Sequence, residues 1–305
     1  MMTTLMTSLA ALALLAPSPQ PSSSSGPVAA TTPLPSARVE AQEATKEQPM
    51  HLQYLEIVTS DVDATCSALA KVHGVTFGEP DVALGNARTA ALVTGGRIAV
   101  RAPLAEHDLP IVRPYVLVDS SEAAVSVAEK AGGEFAMRTT EIPGHGNFAI
   151  YFLGGTQVGL WETLSSEDSS ARVEAHAATK EQALLVQYLE IVSSDVDATC
   201  SVLSKTHGVT FGEPEAGLGN ARTASLEGGG RIGVRAPMAE HEGPIVRPYV
   251  LVDDIEAAIE AAEAAGGEFA MRATEIPGHG TFAIYFLGGT QFGLWETPAP
   301  RERTR

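Results

Sequence analysis

The stretch "QYLEIVTSDVDATC" occupies residues 53–66, and "QYLEIVSSDVDATC" follows at 187–200. Both open with strand-like alternation. Tyr54, Glu56 and Val58 fall on one face of an extended segment, and Leu55 and Ile57 on the other. Both then reach Ser-Asp, a helix-start pair, followed by Val62, Cys66 and Leu69 at helical spacing. A strand is therefore predicted at 53–58 and a helix near 61–73, with Ser60 or Asp61 as its cap and Gly74 as its end. The strand carries one carboxylate among apolar neighbours, Glu56 in the first copy and Glu190 in the second. Leucine and isoleucine suit packing against the helix, which leaves Glu56 on the opposite face.

Working outward, the two stretches belong to a long duplication. Residues 38–162 align with 172–296 at a constant offset of 134, without a gap. Over 51–162 and its copy, 112 positions, 25 differ and 87 are identical. The lead-in is copied too, "RVEAQEATKEQ" at 38 and "RVEAHAATKEQ" at 172. Copies this alike are not independent witnesses, so their agreement says nothing about function. Each has the size of one small domain. The chain divides into an N-terminal segment (1–50), a first domain (51–163), a linker (164–184), a second domain (185–297) and a tail (298–305).

Within the first copy, strands are expected near 86–93, 96–102 and 112–119 and a helix at 121–131 ended by Gly132-Gly133. Further strands are expected near 134–140, 147–153 and 156–162. Each half reads as strand, helix, then two or three more strands. The expected class is α+β.

Composition narrows the function. The formal net charge is −17, and 44% of the residues are hydrophobic. A chain this apolar builds real cores. Its acidity argues against nucleic acid, which wants clustered Lys and Arg, and against an anionic membrane surface. The two cysteines, Cys66 and Cys200, lie at equivalent helix positions and read as buried structural thiols rather than a disulfide or nucleophiles. "LMTSLAALALLA" at 5–16 is too short to span a bilayer, and a Pro/Ser-rich stretch follows. This start reads as a secretory or organelle presequence, with a true start at Met50 as the alternative.

Paired strand–helix modules of this size resemble the vicinal oxygen chelate superfamily, which includes glyoxalase I, extradiol dioxygenases and bleomycin- and fosfomycin-resistance proteins. The residues that carry the resemblance are "YLEIVTSDVDATCSAL", "VRPYVLVDDIEAAIEAAEAAGG" and "IPGHGTFAIYFLGGTQFGLWE". It covers about 51–162 and 185–296. It implies two tandem domains, each of two β-α-β-β-β modules forming an open, cup-like barrel. It also implies four inward strand positions that carry His, Gln or Glu in the metal enzymes. Those positions match Tyr54 or Tyr188, then Arg101 or Arg235, then Arg113 or Arg247, then Gly159 or Gly293. Glu162 and Glu296 lie three residues further on, where alternation turns them to the other face. Guanidinium groups have no electron pair to offer a divalent cation. The resemblance thus supplies the fold, while the residues speak against its metal chemistry. No cofactor is expected, with a divalent metal as the lesser alternative.

The cup is expected to be lined by Tyr54, Glu56, Arg101, Arg113, Tyr115 and Trp161. The second copy offers Tyr188, Glu190, Arg235, Arg247, Tyr249 and Trp295. Such a lining suits a small polar or aromatic ligand, or forms an internal Glu–Arg pair with packed rings. His145 and His279 sit in Gly-bounded turns, "IPGHGNF" and "IPGHGTF". Paired with Glu56 and Glu190, they make the one credible acid–base couple per copy. His73 is expected at a helix C-terminus, and His107 in a solvated acidic linker. Three functions follow. The first is a metal-independent small-molecule binder whose two repeats pack as an internal pseudo-dimer. The second is an enzyme, either a metal-dependent lyase or dioxygenase or a metal-free acid–base catalyst using Glu56 and His145, and the third a structural module without ligand.

Overall fold

The computed structural model describes residues 48–106, 108–164 and 183–298. The N-terminal segment up to residue 47, His107, most of the linker and the end of the tail lie outside them.

The first repeat begins with β1 (Leu52–Val58) and α1 (Val62–His73), followed by β2 (Arg88–Ala91) and β3 (Arg97–Arg101). Its second half comprises β4 (Ile111–Leu117), α2 (Ser121–Lys130), β5 (Glu134–Ile142), β6 (Gly146–Leu153) and β7 (Thr156–Thr163). The second repeat runs β8 (Val186–Val192), α3 (Val196–His207), β9 (Arg222–Ser225) and β10 (Arg231–Arg235). It continues with β11 (Ile245–Leu251), α4 (Ile255–Glu263), β12 (Glu268–Ile276), β13 (Gly280–Leu287) and β14 (Thr290–Glu296).

Each repeat makes one seven-stranded mixed sheet, ordered β2-β3-β1-β4-β7-β6-β5 and, in the second, β12-β13-β14-β11-β8-β10-β9. The sheets are open and cup-like, and the class is α+β. The second half of each repeat has three strands after its helix and the first half has two. Between α1 and β2, Pro80 removes a ladder donor, and Gly85 and Asn86 take left-handed backbone at φ 67 and 60. That segment closes as a 3-10 turn, Val82–Leu84, with a single bridge between Asp81 and Ala87.

The helices start and stop where side chains require it. The Asp61 carboxylate accepts from the Ala64 N–H at 3.0 Å, and Gly74 ends α1 in the left-handed region. The N-terminus of α2 has a cap on Ser120 and a second partner on a strand. Glu162 Oε2 of β7 accepts from the Ser121 N–H at 2.9 Å and its hydroxyl at 2.7 Å. Those bonds to the ionised form lower the Glu162 pKa. Glu296 accepts from the Ile255 N–H of α4 at 2.8 Å in the same way. The closing glutamate of "GLWE" is thus turned away from the cup face, as alternation requires.

One apolar core runs through both repeats, from Leu55, Ile57 and Leu69 to Leu189, Ile191 and Leu203. Helix α1 packs on α4, and α2 on α3, so each repeat covers the helices of the other. Each also lends a short strand-like piece. Met50 N–H donates to Ser225 O at 3.0 Å, and Leu184 N–H donates to Ala91 O at 2.9 Å. The β6–β7 turn docks against the start of α3, where a Cβ on Gly154 (φ +57) would lie 1.9 Å from Ser193 Oγ. Gly288 meets Thr59 in the reciprocal place, and its carbonyl accepts from the Thr59 hydroxyl at 2.9 Å. Close approach and positive φ both demand glycine there. The arrangement is an internal pseudo-dimer with a shared core. Among the described residues no helix is long and apolar enough to cross a membrane.

Candidate functional site

The face of each sheet away from the helices carries its own side-chain cluster. In the first repeat it gathers Tyr54, Leu84, Ala87, Ala99, Tyr115, Ile150 and Trp161. Strand pairing explains the meeting. On β1 and β4, Tyr54 faces Tyr115 and Glu56 faces Arg113. On β4 and β7, Tyr115 lies beside Gly159, and Leu117 beside Trp161. Gly159 leaves the space for the Tyr115 ring, because a Cβ there would sit 1.9 Å from its Cδ1. Tyr54 stacks on Trp161 with centroids 5.0 Å apart, and Tyr115 meets both edge-on at 5.6 and 5.9 Å. These are favourable aromatic geometries. The three residues are only 3–5% exposed, so the rings fill the cup's middle.

Glu56 sits beside the rings at 6% exposure. Its Oε1 accepts from Arg101 Nε at 2.6 Å, and its Oε2 accepts from Arg113 and from the Tyr115 hydroxyl at 3.1 Å. Each arginine then reaches a second acceptor. Arg101 donates to Asp108 Oδ2 at 2.7 Å. Arg113 donates through Nε and a terminal nitrogen to Gln157 Oε1, at 2.9 and 2.6 Å. The network holds two carboxylates and two guanidiniums and is neutral. Burial opposes the charge on Arg101, but Glu56 and Asp108 outweigh it and raise its pKa. Burial likewise opposes the Arg113 charge, and Tyr115 and Glu56 raise its pKa. The Tyr115 hydroxyl is pushed well above its ordinary value by burial and then by Glu56.

The second repeat builds the same network with one longer side chain. Glu190 accepts from Arg235 Nε at 2.6 Å, from Arg247, and from the Tyr249 hydroxyl at 3.2 Å. Arg235 is held by both oxygens of Glu242, at 2.9 and 2.6 Å, where the first repeat has Asp108. The hydrogen bonds from Arg235 bring the Glu242 pKa down to about 2. Arg247 donates to Gln291 Oε1 at 3.0 and 2.6 Å. Gly233 replaces Ala99, and the Tyr188 hydroxyl lies over it, buried and without a hydrogen-bond partner among the described residues. The Tyr188–Trp295 stack opens to 5.6 Å.

The structure therefore brings together, in each repeat, all six residues expected to line the cup. The histidines pair with other carboxylates, and the His279 carbonyl accepts from the Trp295 Nε1–H at 3.2 Å. His145 Nε2 lies 2.9 Å from Asp81 Oδ2 at the rim, and His279 Nε2 lies 3.7 Å from Glu215 Oε2. Glu56 and His145 thus have different charged partners, arginines for the one and an aspartate for the other. Glu190 and His279 divide the same way. His73 is a correction of another kind. The sequence places it at the helix end, yet both ring nitrogens are buried without a hydrogen-bond partner among the described residues, and burial lowers its pKa to about 4. Cys66 and Cys200 are free and buried. Sequence reasoning missed Asp108, Glu242, Gln157 and Gln291, the outer members of the network. Asp108 follows His107 in the acidic linker, where nothing local marks it as a partner for Arg101. Gln157 lies two residues before Gly159 on the same alternating face, a signal present in the sequence.

The positions that face into the cup are the places where a metal would be sought. They offer a phenol, two guanidiniums and a glycine. The phenol's pKa is raised, which keeps its proton on, and the nearest carboxylate is saturated by three donors. Among the described residues no group of three or more His, Cys, Asp or Glu side chains is arranged to hold a metal ion. The residues present do not fit a divalent metal.

No family model matches this sequence. Among curated proteins, CFP32 of Mycobacterium tuberculosis (strain CDC 1551 / Oshkosh), which carries a provisional glyoxylase name, is 24% identical over 261 residues. The match covers 82% of this chain and 95% of that protein, and CFP32 of Mycobacterium bovis (strain ATCC BAA-935 / AF2122/97) matches equally. Among solved structures, a mutant of 4-hydroxymandelate synthase from Streptomyces coelicolor superposes with a TM-score of 0.56 at 14% identity. That likeness spans 83% of this chain and 94% of the synthase. The Mn(II)-bound glyoxalase from Novosphingobium aromaticivorans gives 0.56 at 14% identity, over 81% of each chain. The 2,3-dioxygenase LapB from Pseudomonas sp. KL28 gives 0.55 at 12% identity, over 83% of this chain and 94% of that one. These likenesses agree with the paired strand–helix modules and the open sheets, and the chain is a tandem-repeat protein that shares the fold of those synthase, glyoxalase and dioxygenase structures.

Proposed function

We propose that this protein binds a small molecule without a metal, and that an ion network has taken the place of a chelate in each cup. The observation that carries the reading is the saturation of Glu56 by Arg101, Arg113 and Tyr115, repeated at Glu190. A buried carboxylate in that setting is neutralised and oriented, with three of its roughly four acceptor sites engaged by donors that a cation would have to displace. Glyoxalase or dioxygenase chemistry, as the relatives' names suggest, would need a donor set that these positions lack. Acid–base catalysis by Glu56 with His145 is disfavoured because the two residues are held by different partners.

The second reading, a framework without ligand in its cups, is favoured by the filling of each cup by three packed rings. A thermal-shift series distinguishes metal binding from both. The protein is heated alone and with excess Mn(II), Zn(II), Ni(II) or Fe(II). A cation at one hundred times its Kd adds about 2.7 kcal/mol to the folded state, a rise visible in Tm. The proposal expects no rise with any of the four, and a saturable rise with one of them overturns it.

A further inference from the structure

Between the repeats lies a cleft of about 420 Å³, which reaches Asp108 and Arg113 of the first repeat's ion network. Its volume is within the range of small-molecule sites. Equivalent residues of the two repeats form its lining, among them Pro110 and Pro244, Phe152 and Phe286, and Gln157 and Gln291. The phenylalanines are 45% and 42% exposed, unusual for large apolar side chains. The glutamines give the cleft its chemistry. The Oε1 of Gln157 accepts two bonds from Arg113, and the Oε1 of Gln291 accepts two from Arg247. A guanidinium only donates, so it fixes which way each planar amide faces. The NH2 group must occupy the opposite arm. Neither Nε2 makes a hydrogen bond among the described residues. Two oriented donor groups thus stand at equivalent places in one cleft of mixed apolar and polar lining, backed by networks with no net charge.

We propose that this cleft binds one planar, largely apolar molecule with carbonyl acceptors on opposite edges, held by the Gln157 and Gln291 amides between the phenylalanine walls. The proposal rests on the reading of the chain as a metal-free binder and adds the place, the stoichiometry and the ligand class. Acceptors match amide donors, the rings supply stacking area, and the pairing of equivalent residues favours a ligand that looks alike from either end.

The test is calorimetric titration of the full chain, in EDTA, with anthraquinone-2-sulfonate as the probe. The expected result is one molecule per chain. Gln157→Glu with Gln291→Glu keeps an acceptor for each arginine and replaces the donors by oxygens. It is expected to weaken binding at least about tenfold, or about 1.4 kcal/mol. Phe152→Ala with Phe286→Ala, at half-exposed positions, serves if the first variant fails to fold, with a similar loss expected. Undiminished binding by a folded variant overturns the cleft. Two molecules per chain overturn it in favour of the cups, and absence of binding overturns it outright. Failure of the metal-free reading would appear separately, as a cation-dependent rise in Tm.

Discussion

Replacing Glu56 by glutamine isolates the ion network better than any other single change. The amide keeps the shape of the side chain and one acceptor oxygen, but it removes the charge that both guanidiniums face. Of the partners outside Glu56, Arg101, 5% exposed, would then have the charged Asp108, while Arg113, also 5% exposed, would have only the uncharged Gln157 side chain and the Tyr115 hydroxyl. Removing one partner of a buried pair costs about 3–5 kcal/mol, because the other charge stays out of water. Asp108 still neutralises Arg101, so a loss of about 3 kcal/mol, at the lower end of that range, is expected for Glu56→Gln. For a chain of this size the corresponding fall in Tm is about 6–12 °C. Urea unfolding at pH 7, followed by the fluorescence of Trp161 and Trp295, measures it directly. Because one core runs through both repeats, both tryptophans should report a single transition. Glu56→Met combined with Arg113→Met removes the orphaned charge along with its partner and should lose less stability than Glu56→Gln alone. A midpoint change worth less than about 0.5 kcal/mol for Glu56→Gln, typical of a surface site, would refute the network as the anchor of the cup.

Three further outcomes follow from particular side chains. Burial lowers the pKa of His73 and of His207 to about 4, against about 6.5 in an unfolded chain. The unfolded chain therefore takes up protons first, so stability is complete above about pH 6.5 and is lost as pH falls towards about 4. His73→Leu with His207→Leu should flatten the decline in urea midpoint between pH 7 and pH 5, and an unchanged slope would count against these histidines. Gly159→Ala puts a Cβ against the Tyr115 ring and should cost about 1–3 kcal/mol by overpacking; a neutral result in urea would show that the ring is not seated as described. Burial raises the pKa of Cys66 and Cys200 to about 11, so both thiols should react slowly with Ellman's reagent at pH 8 until urea unfolds the chain. Rapid labelling of the native protein would contradict their burial.

Much of the fold was legible because the signals are local. The alternation of residues 53–58 and the Asp61 cap suffice for the first strand and helix, and the duplication carries the reading to the second repeat. Facing was legible for the same reason: Tyr54 and Glu56 share the cup face, while Leu55 and Ile57 enter the core beneath the helices. Partnership was not legible. Whether Glu56 meets an arginine or a histidine depends on the β1–β4 register, which sets Glu56 opposite Arg113, and on the turn that carries His145 to Asp81. Asp108 reads as linker because nothing local marks a loop carboxylate that folds back to hold Arg101 and the Leu104 N–H. Packing of the repeats against each other is expected from the duplication, but which helices meet is not legible, because a helix's apolar stripe does not say whose helix covers it. Here α1 is covered by α4, from the other repeat.

The central claim is that arginine ion networks occupy the places where a chelate would stand. Metal content measures it most directly. Protein purified without chelator, and protein dialysed against Mn(II), Zn(II), Ni(II) and Fe(II), would be quantified by inductively coupled plasma mass spectrometry. The structure predicts well under one equivalent of any of these metals per chain in every sample. One or two equivalents of a single metal per chain, resisting dialysis and lost in a Glu56→Ala, Glu190→Ala variant, would contradict it.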